Sequence, residues 1–161
     1  MLLVNDGLAA ATLDRTYNFI LHFIVENGEA PHYTEMAREF GIFPAEGREL
    51  LHDLMGQGLP NWVFPGTDLI ASFAPFYNLP THYRVTVDGT RKWFAQCGLE
   101  ATAISWLFPG KTVEIDAPCL HSGEDMHIAM CDGVIEEATP DGIHFYVDRP
   151  IKKWYGSLPF A

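Results

Sequence analysis

The apolar residues of this chain change their spacing once, across the proline-containing stretch Phe73-Ala-Pro-Phe-Tyr-Asn-Leu-Pro80. Before it they recur at helical intervals, and after it they alternate as strand residues do. That switch predicts an α+β fold in two parts, residues 1–74 and residues 75–161. In the first part, Leu13, Tyr17, Ile20, Leu21 and Ile24 share one face of a helix from Leu13 to Val25, stopped by Gly28. Thr34 is an expected N-cap for a short helix through Phe40, closed by Gly41. Pro44 opens a third helix, with Leu50, Leu51, Leu54 and Met55 on one stripe. Pro65-Gly66 then separates two short apolar runs, as in a hairpin. Three helices and a hairpin predict a winged-helix-like domain.

The second part reads as a small, mostly antiparallel sheet with one short helix. Tyr83–Val87 and Arg91–Ala95 alternate around an Asp88-Gly89 turn. Gly98–Leu107 is helical, with Ala101, Ile104 and Leu107 on its buried face. Thr112–Asp116, Met126–Cys131 and Ile143–Val147 complete the predicted strands, with Pro140-Asp-Gly142 turning between the last two.

Charge excludes one function that a winged helix suggests. The formal net charge is -11, and residues 1–80 carry only Arg15, Arg38 and Arg48 against ten carboxylates. Binding to duplex DNA draws on Lys and Arg that neutralise phosphates. No nucleic-acid partner is expected, and a DNA-binding metal sensor is disfavoured. No run approaches the roughly 20 apolar residues of a membrane span. The N-terminus has no signal-peptide pattern, so a cytoplasmic protein without membrane attachment is expected. Three cysteines, Cys97, Cys119 and Cys131, make an odd set without a CxxC pair, which argues against a disulfide framework and a zinc ribbon.

Of the three, Cys97 holds the position with most chemical promise. It falls where a strand ends and a helix begins, and helix N–H groups there lower a thiol pKa. Glu100, three residues on, falls on the same side of the first turn. A thiolate beside a carboxyl suits capture of a soft electrophile or metal followed by proton delivery. It also suits thiol nucleophilic catalysis, although no histidine is placed beside Cys97 by any sequence rule. The plainer alternatives are a buried apolar cysteine and a capping glutamate. Trp93, Phe94, Trp106 and Phe108 flank the segment, either as core or as an apolar wall for a ligand. Cys119, His121 and Glu124 form a metal-ligand pattern too sparse to complete a site, and Cys131 reads as a thiol packed between strands.

The run Leu79-Pro-Thr-His-Tyr-Arg-Val-Thr-Val-Asp-Gly-Thr-Arg-Lys-Trp-Phe-Ala-Gln-Cys-Gly-Leu-Glu-Ala101 resembles the organomercurial (alkylmercury) lyase family. So does Leu107-Phe-Pro-Gly-Lys-Thr-Val-Glu-Ile-Asp-Ala-Pro-Cys119 with Gly123 beyond it. The resemblance spans most of residues 75–147 and marks residues 75–161 as a lyase-like α+β catalytic domain. It implies that Cys97 binds mercury and that Glu100, where the family has aspartate, takes and delivers the proton. Cys119 matches a structural cysteine. The implied activity is cleavage of carbon–mercury bonds by protonolysis, with mercury as substrate and product, no organic cofactor, external thiols as helpers and hand-off to a mercury reductase. The added methylene of Glu100 shifts the carboxyl, and about 1 Å of misplacement costs on the order of a hundredfold in rate. The family's second essential cysteine follows a tryptophan-containing segment, and this chain stops at Ala161 about where it should appear. The expectation is therefore a C-terminally short lyase or a weakly active relative. The alternative of another class is a non-catalytic thiol protein that binds Hg(II) or another soft metal.

Overall fold

A computed structural model describes residues 3–146 and divides the chain into two compact units, Met1–Phe73 and Ala74–Ala161. Its elements are helices and antiparallel strands, an α+β fold.

In the first unit, helix α1 spans Leu3–Asn27 and so starts ten residues earlier than periodicity predicts. The preceding Leu8-Ala-Ala-Ala-Thr12 run has strong helix formers without an apolar rhythm, so propensity rather than pattern extends the helix. Helix α2, Tyr33–Phe40, is capped by His32 and not by Thr34. The His32 imidazole accepts from the Thr34 N–H, and Glu35 reaches back to the His32 N–H at 2.9 Å. The expected cap residue thus sits inside the first turn, where its hydroxyl meets His32 Nδ1 at 2.8 Å. Helix α3, Pro44–Met55, begins at the proline as expected and buries Leu51 and Leu54. Gly47 is required there, because a Cβ would stand 2.8 Å from the Tyr33 carbonyl and 2.9 Å from the Ala37 Cβ. Strands β1, Asn61–Val63, and β2, Ile70–Phe73, pair antiparallel. Asp68 ties this hairpin to α3 through Arg48 (2.8 Å) and His52 (2.7 Å).

In the second unit the strand order is β3 (Phe76–Tyr77), β5 (Arg91–Ala95), β4 (Tyr83–Val87), β6 (Thr112–Pro118), β7 (Asp125–Cys131) and β8 (Val134–Thr139), with every pair antiparallel. One face of this order is the core: Val85, Val87, Val113, Ile115, Ile128 and Met130 are buried at alternating positions. Between β5 and β6 lie helix α4, Gly98–Ala103, and a 3-10 turn, Ile104–Leu107, which bury Ala101 and Ile104. Trp93 packs against Phe108 in a tilted arrangement with ring centroids 4.8 Å apart.

Two expectations fail in this unit. The partner of β7 is β8 and not residues 143–147, of which 143–146 form no strand. Asp132 and Gly133 both take positive φ, the conformation a tight hairpin requires, so the chain turns back eight residues earlier than Pro140-Asp-Gly142 suggests. β8 escapes an alternation test because most of its residues are exposed on both faces. Val147 and the Lys152–Ala161 segment of the sequence argument lie outside the described residues.

Candidate functional site

Cys97 stands two residues past the end of β5, at the N-cap of α4. The junction is held by backbone and hydroxyl bonds. Ala101 N–H donates to the Cys97 carbonyl at 2.9 Å and closes the first helical turn. The Thr81 hydroxyl donates to the Ala95 carbonyl at 2.6 Å and fastens the strand end. Thr81 was not singled out by sequence reasoning, since a threonine before a strand carries no signal of a partner fourteen residues away.

The spacing of Cys97 and Glu100 brings their side chains together, as the helical turn predicts. Their charge states differ from the expectation of a low-pKa thiol. Burial pushes the Cys97 thiol up, and this outweighs the Glu100 and Leu99 N–H groups that favour a thiolate; the Glu100 carboxylate charge raises it further. Burial likewise pushes the Glu100 carboxyl up to about 7, against a hydrogen bond from Cys97 that lowers it. Glu100 Oε2 is buried and has no hydrogen-bond partner among the described residues. Near neutral pH the pair therefore holds a thiol proton beside a carboxyl poised to take or give one.

A shallow pocket with a hydrocarbon surface reaches Gly98, the residue after Cys97. Tyr83 and Gly98 border it, and Ile115, Ala117, Met126 and Ile128 form the sheet wall. Burial raises the Tyr83 phenol, and the charge of Cys97 raises it too, so the phenol and the sulfur sense each other. Of the aromatics that flank Cys97 in sequence, two take the core role that the sequence allowed. Trp93 and Phe108 are core, 2% and 7% exposed, while Trp106 is 74% exposed.

The other cysteines stand apart from this arrangement. Cys131 alternates with Ile128 and Met130, so it belongs to the face of β7 away from the pocket. Cys119 follows β6 in a turn closed by Gly123 N–H to its carbonyl at 2.8 Å. Among the described residues, no three His, Cys, Asp or Glu side chains gather as a metal site, Cys119, His121 and Glu124 included. No described helix is long and apolar enough to cross a membrane.

A family model described as alkylmercury lyase (MerB) matches residues 76–157, half of the chain. Among solved structures, the fold is similar to the mercury-bound form of MerB2, with a TM-score of 0.57 and 18% sequence identity. That similarity covers 81% of this chain and 68% of the other. No curated protein matches the chain.

Proposed function

Because the chain belongs to the alkylmercury lyase family, we propose that it cleaves carbon–mercury bonds by protonolysis, with Cys97 as the mercury ligand and Glu100 as the proton carrier. The observation that carries this reading is the half-buried thiol–carboxyl pair at the β5–α4 junction. An incoming R–Hg⁺ replaces the thiol proton, forming the S–Hg bond, and that proton passes to the Glu100 carboxylate. In the second step Glu100 returns the proton to the carbon bound to mercury. The C–Hg bond breaks with its electron pair forming the new C–H bond, R–H leaves, and Hg²⁺ stays on the Cys97 sulfur until external thiols remove it. Soft sulfur suits soft mercury. A carboxyl near pKa 7 suits both proton transfers, since neither direction is steeply uphill at neutral pH. The one-carbon-longer glutamate serves this purpose because its desolvated position, rather than its length, sets its proton affinity.

The test is release of methane from methylmercury, or of benzene from phenylmercury, by the purified protein with excess small thiol. We expect release that Cys97→Ser abolishes. Mercury binding without any hydrocarbon would overturn the reading in favour of sequestration.

A further inference from the structure

We propose that Thr81 is a positioning residue: its hydroxyl fixes the point where β5 leaves β4, and so sets how the Cys97 sulfur meets Glu100. This role rests on the lyase reading above and adds to it a residue that acts only through Cys97.

The hydroxyl lies inside a short relay at the end of the sheet. It accepts from the Tyr83 N–H at 3.1 Å and donates to the Ala95 carbonyl at 2.6 Å, with the Tyr83 carbonyl a longer second acceptor at 3.3 Å. Tyr83 and Ala95 are opposite each other, the first residue of β4 and the last of β5. Ala95 is completely buried, so water does not replace the hydroxyl on its carbonyl. The methyl on the threonine Cβ restricts its rotamers and keeps the hydroxyl in place. Only Gln96 and Cys97 then separate Ala95 from α4, a helix of six residues, too short to hold its own place. Cys97 itself is extended, with φ -144° and ψ 171°, so the incoming strand directs its side chain over the first turn where Glu100 stands. The strand end does not depend on Thr81 to exist, because β3 pairs with it from the other side, Phe76 opposite Ala95 and Tyr77 opposite Phe94. Removing the hydroxyl therefore shifts the junction without dissolving it.

Thr81→Val keeps the shape and removes the hydroxyl, and Thr81→Ser keeps the hydroxyl. kcat and KM for hydrocarbon release are measured for both, alone and combined with Glu100→Gln. A displacement of about 1 Å costs on the order of a hundredfold in rate. Thr81→Val is expected to lower kcat about ten- to a hundredfold with KM within about threefold, and Thr81→Ser to stay within about threefold of wild type in both. In Glu100→Gln the alignment with the carboxyl no longer matters, so adding Thr81→Val is expected to change the residual rate by less than about threefold. Unchanged kcat in Thr81→Val, an equal loss in both backgrounds, or a serine variant as slow as the valine one overturns the proposal. So does a valine variant without the wild-type circular dichroism, since the bond is then structural.

A second measurement is independent of turnover: the pH profile of Cys97 labelling by iodoacetamide, read by peptide mapping. The Glu100 carboxylate charge raises the thiol, so Glu100→Gln is expected to move the midpoint down. Tyr83, the other titratable group coupled to this sulfur, is the same in every variant. With Thr81→Val present, at least half of that movement is expected to disappear, because sulfur and carboxyl no longer meet. The full movement overturns the proposal, whereas a diminished one in a protein that releases no hydrocarbon leaves the role of Thr81 standing and removes the lyase reading alone.

Discussion

Cys97 and Cys119 occupy the same kind of place and end in opposite states. Each follows a strand, each begins a turn, and each sulfur has two backbone N–H groups nearby, from Leu99 and Glu100 in one case and His121 and Ser122 in the other. The Cys119 thiol is nonetheless lowered, chiefly by the Ser122 hydroxyl and then by those N–H groups, which outweigh desolvation and the Glu124 charge. The Cys97 thiol is raised, because burial outweighs the same donors. The lesson is that donors near a sulfur do not decide its charge; the water they leave it does. The less ionised sulfur is also the one hydrogen-bonded to a carboxyl, that of Glu100. That combination suits a reaction in which mercury displaces hydrogen.

The largest test of this contrast exchanges serine for each cysteine. Cys97→Ser is expected to reduce hydrocarbon release to the background, while Cys119→Ser leaves kcat within about threefold, a loss smaller than 1 kcal/mol of barrier. Equal losses would erase the distinction between the two turns. Next, Glu100→Gln keeps the shape of the side chain and removes the proton carrier. It is expected to lower kcat by about 10²- to 10⁴-fold, the usual range for a positioned general acid, while stoichiometric mercury binding by Cys97 persists. Loss of binding together with rate would make Glu100 a structural support instead.

Alkylation reads the sulfurs directly. At pH 7 iodoacetamide is expected to label Cys119 at least about tenfold faster than Cys97, since the thiolate is the nucleophile and the Cys119 thiol is lowered while the Cys97 thiol is raised. Peptide mapping by mass spectrometry gives the order, and faster labelling of Cys97 would contradict its raised thiol. The smallest effect is on stability. Glu100 has a pKa of about 7 in the folded chain against 4.5 ordinarily, so between those values the folded state holds more protons than the unfolded one. Stability should therefore fall as pH rises from about 4.5 to about 7 and level off above, by at most a few kcal/mol. Denaturant midpoints of the wild type and Glu100→Gln check this, and an identical slope in the variant would assign it elsewhere.

Much of the site was legible in order along the chain. A strand ending before Gly98 and a helix after it put Cys97 at a junction, and the three-residue interval put Glu100 beside it. The strands with clean alternation, β4, β5, β6 and β7, were legible as well. β8 was not, because an edge strand exposed on both faces has no alternation to read. The cross-strand pair of His127 and Asp116, 2.9 Å apart, was likewise invisible, since eleven residues and a register separate the partners.

Returning to Cys97, local rules of turn and spacing were enough to name the thiol and its carboxyl neighbour, because both lie within one turn of backbone. The same rules predicted a lowered thiol pKa, and there the tertiary structure decided otherwise. Desolvation depends on everything packed around a group, here β4, β5 and α4 together, and no interval along the chain encodes it. The pocket is of the same kind. Its walls come from strands and a following segment that are distant in sequence and adjacent only once the sheet is paired, so register and not proximity along the chain gathers them.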